Sequence, residues 1–130
     1  MRYLRFVVSQ KNSGSGVREG LFQVAGRVAK SGQLSHHDQQ RLDDLRDWFG
    51  THLPKPERFT RTRKARGRNT RGIAWFKDTA SGCLRRMREL AAILEEQGIL
   101  VEAIETDRPG YLVYEDDLQV VAEPFSDTGA

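Results

Sequence analysis

Seven basic residues crowd the fifteen positions from Arg58 to Gly72: Arg58, Arg61, Arg63, Lys64, Arg66, Arg68 and Arg71, with no acid among them. Each can neutralise a phosphate and release a counterion, and a guanidinium plane can also stack on a base. Removing these seven from the totals of 21 basic and 18 acidic residues leaves 14 against 18, a net of −4 for the rest of the chain. An acidic body with a basic arm attracts polyanions, so the partner expected from charge is nucleic acid or an acidic protein. The arm lacks the interleaved aromatics of a stacking platform. Trp75 and Phe76 follow it directly, and Trp75 joins the seven cations as a candidate contact if it is exposed, although aromatic residues at such positions usually serve the core.

Other groups with chemical potential are read more plainly. His36, His37 and Asp38 could hold a metal or act as a base, but adjacent helical residues diverge by about 100° where ligand pairs favour i and i+4, so they read as first-turn surface residues. His52, beside Leu53 and Pro54, reads as a helix exit. Cys83 lies early in a helix, where a thiol can be acidified, yet a small packed residue is the simpler reading. Asp107, Glu115, Asp116, Asp117 and Glu123 cluster around two turns and could bind a divalent cation, though acids serve turns for conformational reasons alone. Arg85, Arg86 and Arg88 could extend the basic surface, but Glu89 lies four positions beyond Arg85 and Glu95 and Glu96 follow, so ordinary helix-surface pairing is the expected reading. No P-loop, dinucleotide-binding, nucleophile-elbow or CxxC pattern is present, and the expectation is no metal, no cofactor and no catalysis.

The elements that must position these residues are legible from periodicity. Leu4, Phe6 and Val8 alternate with Tyr3, Arg5 and Val7, which predicts a strand over 3–8, followed by a loop over 9–16. Val17, Leu21, Val24, Ala25 and Val28 predict a helix ending at Gly32. Ser35 with Asp38 resembles a capping box opening a helix with Leu42, Leu45, Trp48 and Phe49 on one face, ending at Gly50. HLPKP (52–56) stops the pattern. IAWFK (73–77) predicts a short strand. Asp78 is the expected cap of a third helix carrying Leu84, Met87, Leu90, Ala91 and Leu94 and closing at Gly98. Three strands follow, at 99–105, 111–115 and 118–123, as successive antiparallel neighbours, with Pro109 and Gly110 in a type II turn.

The predicted architecture is α+β: an antiparallel sheet of four to five strands with about three helices on one face. A chain of 130 residues, 38% hydrophobic and 30% charged, fits one domain over 1–125 carrying a flexible basic arm at 58–72, with 126–130 a disordered tail. Its mean hydropathy of −0.62 and lack of a long apolar run predict no membrane span. MRYLRFVV is too short and too charged for a signal peptide, and one cysteine allows no internal disulfide, so a cytoplasmic location is expected.

WFKD (75–78), RPGYLVYEDD (108–117) and QVVAEPF (119–125), with RYLRFVV at the start, resemble a group of short bacterial proteins of unassigned function. The resemblance implies a bacterial or phage setting and carries no activity or site residue. The expected function is therefore a small non-enzymatic module binding RNA or single strands through the arm, since no basic recognition helix points to duplex reading. The alternative is a regulatory subunit, inhibitor or adaptor docking on an acidic protein. A nuclease or other hydrolase using His36, His37 or the late carboxylates stands third.

Overall fold

The alternating apolar run at the start of the chain becomes the centre of an antiparallel sheet. The computed structural model describes residues 1–11, 18–53 and 72–125; the cations at 58–71, the stretch 12–17 and the tail 126–130 lie outside the described residues. Within them the order is β1 (Tyr3–Lys11), β2 (Arg18–Gly20), α1 (Leu21–Lys30), α2 (His36–His52), β3 (Ile73–Lys77), α3 (Ser81–Glu96), β4 (Val101–Thr106), β5 (Tyr111–Glu115) and β6 (Gln119–Glu123). This is a mixed α+β fold, three helices on an antiparallel sheet.

The apolar faces predicted for the helices are those that pack. Leu21, Val24 and Ala25 of α1, Leu42, Leu45 and Phe49 of α2, and Leu84, Met87, Leu90, Ile93 and Leu94 of α3 form one cluster with Phe6, Val8 and Phe76 of the sheet. Leu42, Leu90, Ile93 and Leu94 are at 0% exposure, and burying each such side chain contributes about 1.5–3 kcal/mol. Ser35 caps α2 as expected, its hydroxyl accepting the Asp38 N–H at 3.1 Å.

The sheet departs from expectation in three ways. It has six strands, because Arg18–Gly20 pairs with the end of β1 where the sequence predicts the first turn of α1; Gly20 becomes the N-cap instead. The last three strands are not successive neighbours, since β4 pairs along β1 from Tyr3↔Thr106 to Val8↔Val101 while β5 pairs with β6. The TDRPG link is thus a crossover between non-adjacent strands. Gly110 there has φ +137°, and a Cβ on it would lie 2.0 Å from the Glu123 carbonyl oxygen, so close backbone approach demands glycine. Finally, the face turned from the helices is itself buried at its centre: Val7, Trp75, Val120 and Ala122 are each at 2% exposure or less.

Two helix boundaries also move. α2 runs past Gly50 to His52, where the Leu53 N–H still donates to the Phe49 carbonyl at 2.9 Å. α3 starts after Ala80 rather than at Asp78, because the Asp78 carboxylate accepts the Arg2 N–H at 3.2 Å and ties the β3 turn to the chain start.

Candidate nucleic-acid interface

The arm's cations, Arg58, Arg61, Arg63, Lys64, Arg66, Arg68 and Arg71, lie outside the described residues, but both of its anchors are described. Leu53, 7% exposed, ends the preceding helix, and buried Gly72 leads into β3. Both line the same cavity.

Beside the first anchor, the end of α2 meets the start of α3. The Arg86 guanidinium lies 3.8 Å from the Trp48 ring centroid, and the His52 ring stacks on Trp48 at 4.3 Å and 14°. Arg86 Nη1 also donates to the Gly82 carbonyl at 3.1 Å, which fixes the guanidinium over the indole. A cation held on an aromatic face is worth roughly 0.5–1 kcal/mol at an exposed site. The expected Arg85–Glu89 pair is not made, and among the described residues Arg85, Arg86 and Arg88 have no ion pair. An exposed pair with the cation N-terminal to the acid opposes the helix dipole and contributes a few tenths of a kcal/mol at most. These arginines therefore keep their charge for the surface.

The remaining candidates are placed plainly. Trp75 is at 2% exposure on the buried sheet face, so in this conformation its ring cannot stack on a base from solvent; register with Val120 and the strand pleat put it inside. His36 and His37 are exposed on the first turn of α2. Cys83 is 1% exposed, and burial pushes its thiol pKa up, opposing the acidification a helix start can provide. Among the described residues no three His, Cys, Asp or Glu side chains group as a metal site.

No family model, curated protein or solved structure matches this chain. Two of the late carboxylates serve the fold: Glu115 binds Lys77 at 2.6 Å, and Asp116 staples the β5–β6 turn. Its carboxylate accepts from the Leu118 N–H at 2.8 Å, the Gln119 N–H at 3.0 Å and the Tyr114 hydroxyl at 2.8 Å. Burial alone would raise its pKa, but these donors together outweigh burial and hold it below the ordinary carboxylate value.

Sequence reasoning missed the cavity that the two anchors share. β1 pairs with β3 only at Tyr3↔Lys77 and Leu4↔Phe76, and β2 takes over that edge at Val7↔Gly20. The strands part at Arg5 and Trp75, the next positions in register, and a cavity of about 540 Å³ opens there. Its wall is mainly apolar, with Phe6, Phe22, Phe76 and Met87, but includes Arg5, Trp75 and Gln119. Arg5 Nη1 and Trp75 Nε1 are both buried without a hydrogen-bond partner. The available signal was an arginine in the middle of the apolar run YLRFVV, which on alternation alone is assigned to solvent.

Proposed function

We propose that this protein is a non-enzymatic module that binds RNA or single-stranded nucleic acid through Arg58, Arg61, Arg63, Lys64, Arg66, Arg68 and Arg71. The carrying observation is the charge division: seven cations without an acid in fifteen positions, against −4 for the remainder. The net-negative remainder disfavours phosphate on average, so the arm is where the field draws in an approaching strand. The Arg86–Trp48–His52 stack adjoins the arm's first anchor, and with Arg85 and Arg88 of the same helix, which like Arg86 make no ion pair among the described residues, supports a cationic surface broader than the arm. Backbone charge contacts of this kind are tolerant of sequence.

No helix of the described residues is long and apolar enough to cross a membrane. With a lone buried cysteine, Cys83, the proposed setting is the cytoplasm of a bacterium or of a phage-infected cell.

The test is retention of a labelled oligouridylate by wild-type protein and by a variant with Arg61, Arg63, Lys64, Arg66, Arg68 and Arg71 all replaced by alanine. Wild type is expected to bind and the variant to lose affinity across all sequences. Equal affinity at low salt removes the proposal. A stoichiometric acidic protein captured from nuclease-treated lysate, with no oligonucleotide bound, replaces it by the docking alternative.

A further inference from the structure

We propose that the cavity between β1 and β3 is a binding site for a small organic monoanion, a carboxylate on a flat apolar body. The proposal is independent of the arm and stands whether or not the arm binds nucleic acid.

The charge argument begins at Arg5. Its guanidinium is largely withdrawn from water, Nη1 is buried without a hydrogen-bond partner, and burial lowers its basicity. Among the described residues no carboxylate forms an ion pair with it. The residue opposite on β4 is Ile104, and the two acids of that strand are engaged elsewhere, Glu105 with Arg2 at 2.8 Å and Glu102 with Arg18 at 2.9 Å. A cation kept from water without a partner is costly, and guanidinium stays charged through the accessible pH range. A bound anion relieves this cost without changing the fold, and does so more strongly than a neutral acceptor because the hydrogen bond is charge-assisted.

A second donor is independent of the first. Trp75, 2% exposed and on the same cavity wall, has its Nε1–H buried and unpartnered, although buried indole N–H groups usually find an acceptor. The third contribution comes from α1, a ten-residue helix. Its N-cap is Gly20, with no side-chain cap and no acid in the first turn, and Leu21, Phe22 and Gln23 line the cavity. The first-turn N–H groups of a helix carry about half a positive charge and favour an anion. Arg5 Nη2 lies 4.0 Å from where a Cβ on Gly20 would stand, so the guanidinium and the helix start share one end of the cavity.

The ligand class follows from what the wall offers. One guanidinium, one indole N–H and one helix start suit a single negative charge, and the planar guanidinium fork matches a carboxylate in two parallel hydrogen bonds. Phe6, Phe22, Phe76 and Met87 then require an apolar body, and about 540 Å³ falls within the range of pockets that hold small organic ligands. A polyanion would leave charge against these side chains.

The experiment uses the full chain and two probes of one shape, 2-naphthoate and neutral 2-naphthol, followed by heteronuclear NMR on the two indole N–H resonances. A Trp48→Phe variant assigns them. 2-Naphthoate is expected to move the Trp75 resonance saturably, with 2-naphthol and the Arg5→Met variant each at least about tenfold weaker, the equivalent of one charge-assisted hydrogen bond. The six-alanine arm variant is expected to bind 2-naphthoate as wild type does. Absence of a saturable Trp75 shift, equal affinity for the two probes, undiminished affinity in Arg5→Met, or loss of binding in the arm variant each overturns the proposal. The comparison of the two probes on wild type decides the matter even if Arg5→Met does not fold.

Discussion

Arg5 and Trp75, each one register step beyond the last β1–β3 pair Leu4↔Phe76, line one cavity where the two strands separate, and each holds a buried N–H donor with no acceptor. Two unpartnered donors lining one cavity are a polarity conflict that a folded chain rarely retains without use. The conflict gives the first prediction. Arg5→Met, which keeps an unbranched apolar stem and removes the guanidinium and its charge, is expected to raise the thermal midpoint of the ligand-free protein by roughly 4 °C, about 1 kcal/mol for a domain of this size. A scanning calorimetry trace with an unchanged or lower midpoint would mean that Arg5 is already satisfied.

Gly110→Ala is expected to destabilise the protein by at least about 2 kcal/mol, since φ of +137° is closed to alanine and its Cβ would meet the Glu123 carbonyl at 2.0 Å. Gly32→Ala, with nothing within 4 Å, tests the conformational part alone and should cost less. Urea unfolding midpoints of the two variants separate the terms.

Asp116 makes a pH-dependent contribution. Its pKa is lowered in the folded state, so the stability it provides is fully present above the ordinary carboxylate pKa of about 4 and is lost as pH falls through the lowered folded value. Asp116→Asn is expected to cost about 1–3 kcal/mol at neutral pH, with the gap to wild type narrowing in acid below about pH 4. A gap independent of pH would assign the turn's stability to shape rather than to charge.

Cys83 is buried and its pKa raised by that burial, so a thiol reagent such as dithionitrobenzoate should react slowly in buffer and rapidly in denaturant. Rapid reaction under native conditions would place α3 in a looser packing than its six buried residues indicate.

The parts of this structure that sequence made legible are those written in a local period. Leu84, Met87, Leu90 and Leu94 recur at helical spacing, and the strand at YLRFVV alternates, so those faces were recognisable and they pack. What escaped was non-local. Nothing between Ile99 and Glu105 says that this strand pairs with the chain start rather than with Tyr111–Glu115, and a three-residue strand such as Arg18–Gly20 is shorter than any period can reveal. Asp78 had the chemistry of a helix cap and was recruited by the Arg2 N–H, a partner 76 residues away. Arg5 was hidden for a related reason: alternation shows which residues share a face, and it does not show that the second face is also buried. The candidate contact Trp75 was lost to the core on the same account.

The basic arm was visible from composition alone, and its described surroundings add the Arg86–Trp48–His52 stack at its root. The most direct measurement is the salt dependence of binding to oligouridylate for the wild type and the six-alanine variant. If the six cations each neutralise one phosphate, the slope of log K against log salt concentration is expected near −4 for wild type, about −0.7 for each contact on a single strand, and much shallower for the variant. Equal slopes and equal affinities in the two proteins would contradict the account.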